Sequence, residues 1–272
     1  ASMSIFSVGG NLGVGIGPML ATFLLGFSGL ASIYGVIIPG FLASLVFLYL
    51  LPKFNRIVKN HLTKEVKEEE HADVNDSGKM KTRKAYLIFL LLYVAVRSWI
   101  HSGLVYFIPF YFPAMKEIAE PEYLISIFLI AGVLGTLIGG PFADRFGGRN
   151  GLLASMVISL FAVYPFIHFS GHWIPIFAFI SGTALISTFS ITVVFGQGLL
   201  PNSIGLASGL VLGFAVGMGS IGVTVLGVIA DHTGLPFVMN ILCLLPLAGM
   251  ALAFFLPDDK TGLKNTGKIK KM

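Results

Sequence analysis

Eight stretches of this chain stay apolar for close to the 20 residues that a helix needs to cross the hydrocarbon of a bilayer, and that length sets the class of fold. They run approximately over 3–25, 30–51, 85–112, 123–142, 151–169, 175–195, 206–229 and 236–256. Of the 272 residues 55% are hydrophobic and only 11% charged, where a soluble domain carries roughly a quarter charged. The expectation is an all-α integral membrane protein. Its single cysteine, Cys243, lies inside an apolar run, cannot form an internal disulfide, and says nothing of compartment.

Charge then gives orientation. The net charge of +5 is not spread over a nucleic-acid face: the basic residues gather between spans and in the tail, so topology explains them better. Between the second and third spans lies PKFNRIVKNHLTKEVKEEEHADVNDSGKMKTRK, too charged to enter lipid. Phe54, Val58, Leu62 and Val66 fall four apart there, which fits a short amphipathic helix on the membrane surface, and disorder is expected from Asp73 to Gly78. Nine lysines and arginines in this linker mark its side as cytoplasmic. Alternation puts Arg145, Arg149 and the lysines of the tail on that same side and leaves Lys116 as the only basic residue outside, an independent check on the count of eight.

A repeat links the two ends. Sliding the chain by 204 positions lays SIFSVGGNLGVGIG on SGLVLGFAVGMGSIG, with Ser4 on Ser208, Gly9 on Gly213, Gly13 on Gly217 and Gly15 on Gly219. Gly9, Gly13 and Gly17 form one stripe, and glycines four apart let helix backbones approach where lipid supplies no hydrophobic drive. A parallel repeat is the plan of transporters with two six-helix halves. Four spans precede the second copy within its half and none precede the first, so about four helices, roughly 120 residues, are expected upstream of Ala1. The expected organisation is therefore 1–52, the last two helices of an N-terminal bundle; 53–84, a cytoplasmic linker; 85–257, a C-terminal six-helix bundle; and 258–272, a basic cytoplasmic tail. About eight of twelve membrane helices are present in this scheme.

Polar residues inside the spans are few. Arg97, in LYVAVRSWIHSG, sits about 18 Å along a helix that starts near Ala85, close to the midplane. An unpaired charge there costs at least about 3 kcal/mol, so it needs a partner or a wet cavity. Tyr93 and His101 lie four residues to either side and share its face, with Ser98 and Ser102 beside them. A guanidinium holds a carboxylate or phosphonate through two parallel hydrogen bonds, which makes Arg97, His101 and Tyr93 candidates for an anionic or polar substrate. The alternative is a structural arginine bonded to carbonyls or to an acid elsewhere. His101 either titrates in proton coupling or stays a neutral buried donor. Thr183, Ser187 and Ser190 share a face of another span, and Ser187 joins the substrate-binding candidates, although hydroxyls of this kind readily bond to their own helix. Phe107, Phe110, Tyr111 and Phe112 read as an interfacial aromatic belt with Pro109 as a hinge, and Asp231 and His232 as a solvated outer helix end.

The loop GGPFADRFGGRN resembles the signature G-x-x-x-D-R-x-G-R-[RK] of the major facilitator superfamily, with Gly140, Asp144, Arg145 and Gly147 in place. It departs by Gly148 before Arg149 and by Asn150 where a basic residue is usual. Such a loop permits a tight turn, an aspartate cap on the next helix and arginine–carboxylate pairs, a latch that would switch as the bundle rocks. NLGVGIGPML, with Gly13, Gly17 and Pro18, resembles the glycine-proline motif in the fifth helix of that superfamily's drug antiporters. Together with SIFSVGGNLGVGIGP, VRSWIHSGLVYFIPFYF and GGPFADRFG, the chain looks most like the fosmidomycin-resistance group of bacterial efflux proteins over nearly all but its linker and tail. The resemblance implies an inner-membrane antiporter exporting drugs against protons. With no HExxH, paired-aspartate metal motif or GxSxG in the sequence an intramembrane enzyme is not expected, and neither is a cofactor, metal or nucleic-acid partner; a monomer is expected. Uptake of an organic anion by a symporter, or a fragment that does not transport, are the alternatives.

Overall fold

In hydrocarbon no water is present to satisfy a peptide group, so a spanning chain must close its hydrogen bonds within itself. The computed structural model of the protein describes residues 23, 24, 26, 34, 35, 37, 40–52, 77–118, 120–200 and 203–257, and every regular element among them is helical. The chain falls into two units that divide between Lys79 and Met80. In the smaller, a short apolar helix, α1 (Gly40–Pro52), leaves Phe41, Phe47 and Tyr49 exposed.

The larger unit holds six helices long and apolar enough to cross a membrane: α2 (Ser77–Lys116, with Lys84–Lys116 as its apolar part), α3 (Glu122–Phe146), α4 (Gly148–His168), α5 (Ile174–Leu199), α6 (Ile204–Thr233) and α7 (Leu235–Phe254). These match the third to eighth predicted spans. The first predicted span lies almost wholly outside the described residues, as do Gly9, Gly13, Gly17, Pro18, the expected surface helix and the basic tail. Ser77 and Gly78, expected in a disordered linker, are instead the first residues of α2.

At its other end α2 runs four residues past the expected stop, through Pro109 and Pro113, to Lys116. Lys116 Nζ there donates to the carbonyl of His168 at 3.0 Å and to Ser170 Oγ at 3.4 Å, tying the ends of α2 and α4 together. This extension overturns the aromatic belt. Phe107, Tyr111 and Phe112 are buried, Phe112 packing on Phe166 of α4 with ring centroids 5.2 Å apart, and only Phe110 of the four is exposed.

Helix α5 is the hub, packed along α3 and α4 and against α6, while α4 also packs on α7. Side-chain burial drives little association in lipid, so close backbone approach has to supply the contact. It does so at Gly135 and Gly139 of α3, while Gly132 makes room for the Ile186 side chain. A Cβ on Gly135 would meet the carbonyl oxygen of Thr183, one on Gly139 would lie 2.6 Å from that of Ser187, and one on Gly182 would meet that of Phe128. A second close approach joins α2 to α6, where a Cβ on Gly219 would sit 2.5 Å from Ser102 Oγ and one on Gly222 would sit 2.6 Å from the Trp99 indole.

Gly213 and Gly217, expected to pack helices, meet nothing within 4 Å among the described residues. The reason is angular. At 100° per residue Gly219 is turned about 200° from Gly217, so of the repeated glycines Gly219 lies on the face of α6 that touches α2 while Gly213 and Gly217 lie on the opposite face.

Candidate functional site

Helix α2 presents Tyr93, Arg97 and His101 in successive turns along one side, as the spacing required. Tyr93 and Arg97 are essentially inaccessible, at 0% and 1% exposure, while His101 is partly open. Among the described residues Arg97 is the only charged side chain that is buried. Its surroundings are sparse: Nη2 donates to Ser98 Oγ at 3.2 Å, and Cζ lies 3.7 Å over the centre of the Phe189 ring of α5. Neither Nε nor Nη1 has a hydrogen-bond partner among the described residues.

Magnitudes decide what this arrangement is. A desolvated cation over an aromatic face gains about 2 kcal/mol or somewhat more, and one charged hydrogen bond about 1.5–3 kcal/mol. A guanidinium has five N–H donors, and most are unclaimed here. A purely structural tie to carbonyls or to an acid would have used them; no such tie exists among the described residues. The site is therefore a desolvated cation with free donors, which suits it to receive an anion.

His101 stands one turn further along. Its ring packs against Phe128 and Phe189, with centroids 5.7 and 5.9 Å away, and it also lines a cleft of about 620 Å³ between α2 and α6. Ser102, Tyr106, Phe110, Gly219 and Ser220 line the same cleft. Arg97 is not among the residues that line it; Phe189 covers the cation, and His101, which does line the cleft, packs on that same ring.

Tyr93 is less free than the sequence implied, because its hydroxyl donates to the carbonyl of Leu152 at 3.2 Å and so ties α2 to α4. Ser187 is not part of the Arg97 cluster. It lies two residues from Phe189, about 200° around α5, so one faces Arg97 while the other faces α3 and a separate, almost wholly apolar cleft of about 320 Å³. Its hydroxyl bonds back to Ala184 at 2.7 Å, and Thr183 bonds back to Phe179 at 2.9 Å. Sequence spacing showed that these hydroxyls share a face but carried no sign of which neighbour that face meets. Phe189, the residue on the cation, went unremarked for the same reason.

The signature loop is shorter than a loop. Gly147 alone separates α3 from α4, with φ +93° and ψ +146°, a conformation open to little but glycine. Its N–H donates to Ala143 at 2.8 Å, and Asn150 Nδ2 donates to the Phe146 carbonyl at 2.9 Å, so the asparagine that departs from the signature closes the end of α3. Gly140 and Asp144 belong to the last turns of α3. Asp144 does not cap α4, whose start has no side-chain cap, because one residue leaves no room for a capping turn. Arg145 lies over Phe146 at 5.4 Å and Arg149 over Phe254 of α7 at 4.9 Å, and no carboxylate pairs with either among the described residues. In this structure both arginines of the loop rest on aromatic rings. Gln197 Nε2 donates to Ser208 Oγ at 2.7 Å on the same side, joining α5 to α6.

Six membrane-length helices around a buried arginine with unclaimed donors define a multi-pass membrane protein with an internal polar site. A family model described as "Major Facilitator Superfamily" matches residues 1–119. The chain is 34% identical over 265 residues to the fosmidomycin resistance protein of Escherichia coli (strain K12), a match that covers 95% of this chain and 63% of that protein. It is also 34% identical over 269 residues to the uncharacterized MFS-type transporter YfnC of Bacillus subtilis (strain 168), again covering 95% and 63%. The chain belongs to the major facilitator superfamily, a family of transporters and not of enzymes. It spans 63% of the length of these relatives.

Proposed function

We propose that this chain is part of a secondary transporter of the plasma membrane, the inner membrane in a bacterium with two, that exports small polar or anionic molecules in exchange for protons. One observation carries the reading: a buried arginine whose Nε and Nη1 are unclaimed, one turn from a cleft. The likeness to a fosmidomycin resistance protein supports export of a drug of that kind. In this reading residues 1–52 end an N-terminal bundle, 53–84 link it on the cytoplasmic side to the bundle 85–257, and the protein works as a monomer. Gly213 and Gly217 then offer an open face for helices of the other bundle.

Alternating access fits the covered state of Arg97. Rocking of the bundle withdraws the cover of Phe189, and the one-residue junction at Gly147, with Arg145 and Arg149 resting on rings rather than ion pairs, lets the cytoplasmic ends of α3 and α4 move. His101, one turn from the cation and open to the cleft, is the candidate for coupling within this part of the chain.

The test is transport in everted membrane vesicles by this chain extended to the length of its relatives. Proton-driven accumulation of fosmidomycin inside the vesicles is expected. Accumulation in right-side-out vesicles instead would favour the organic-anion symporter, and neither would leave the transporter reading unsupported. The 272 residues alone are expected to be inactive.

A further inference from the structure

Arg97 and His101 both rest on one ring. The guanidinium lies over the face of Phe189, and the imidazole meets the same ring edge-on at 80°. A ring on its face holds a guanidinium in place without taking any of its N–H edges, whereas a hydrogen-bonding partner would compete with substrate for them. Arginine otherwise turns about several side-chain bonds, so a fixed plane lowers the ordering cost of a two-bond grip on an anion. Among these contacts only Ser98 draws on a donor, and Nε and Nη1 remain free.

We propose that Phe189 is the positioning residue of the anion site: its π face fixes the orientation of Arg97 and so sets the affinity for anionic substrate. This rests on the reading of Arg97 as the substrate-binding group. An aliphatic side chain of similar bulk would fill the space and lose the quadrupole; a tyrosine would keep it. The structural role common to any buried side chain would not separate those two replacements.

The experiment compares Phe189→Leu and Phe189→Tyr with wild type in the full-length protein, reconstituted in proteoliposomes, with fosmidomycin as the probe. Phe189→Leu is expected to raise KM about tenfold while kcat changes less than twofold, and Phe189→Tyr to stay within twofold of wild type in both. Thermal unfolding of each purified variant is expected to match wild type. An unchanged KM in Phe189→Leu, or equal losses in both variants together with lower stability, would overturn the proposal. Arg97→Gln in the same assay separates the two levels of the argument. If it transports normally, the reading of Arg97 fails and this proposal with it; if it is inactive while Phe189→Leu is normal, only the role of Phe189 fails. Wild-type protein that does not move fosmidomycin overturns the export reading and this inference together.

Discussion

Arg97→Gln is expected to abolish transport in the full-length protein while leaving the chain inserted in the membrane and folded. The glutamine side chain keeps polarity and part of the length but removes the charge and the two-pronged anion grip, cutting the five N–H donors of the guanidinium to the two of an amide. Insertion survives because the substitution removes the costliest group in α2, whose charge at bilayer depth costs about 3 kcal/mol or more. Stability is expected to hold or rise for the same reason, since among the described residues Arg97 makes one side-chain hydrogen bond and one ring contact. The check is paired: transport of fosmidomycin, and the melting temperature of the purified protein. Retained export would make Arg97 a structural residue. Lost export together with lost folding would assign it to the core.

Gly135→Ala is expected to lower stability by about 2–3 kcal/mol, a large effect for one methyl group. The added carbon meets the backbone carbonyl of Thr183, which no rotamer change can move, so α3 and α5 have to separate along the seam that holds the bundle together. Gly217→Ala makes the same chemical change on α6, where the new methyl meets nothing within 4 Å among the described residues. Helix propensity alone then favours alanine by up to about 1 kcal/mol, and no loss is expected in the 272-residue chain. Thermal unfolding in detergent reads both. Equal behaviour of the two variants would show that the glycine seam is not what joins α3 to α5.

Those two glycines also show what the sequence made legible. The spans themselves were readable because length and hydrophobicity are properties of a single helix, and six of them stand where expected. The stripe of Tyr93, Arg97 and His101 was readable for the same reason: helical spacing puts them on one face whatever lies opposite. What lies opposite is a property of two helices. Gly135 and Gly139 form a four-residue glycine spacing as plain as that of Gly213 and Gly217, yet only the first pair meets a neighbouring backbone. Ser187 and Phe189 were equally placed to reach Arg97 until the rotation of α5 chose the phenylalanine. Phe112 looked interfacial because α2 was expected to end beside it, and the four further residues to Lys116 carry it into the core.

Water is the most direct witness to a passage beside the stripe on α2. Cys243 is the single cysteine and is buried, so a Cys243→Ala background allows one new thiol to be placed at will. His101→Cys in that background should react with a charged thiol reagent that does not cross lipid, fosmidomycin should slow the reaction, and Leu244→Cys, on an exposed apolar face of α7, should not react. Silence at residue 101, or reaction no faster there than at residue 244, would mean that α2 turns this face to a dry interior.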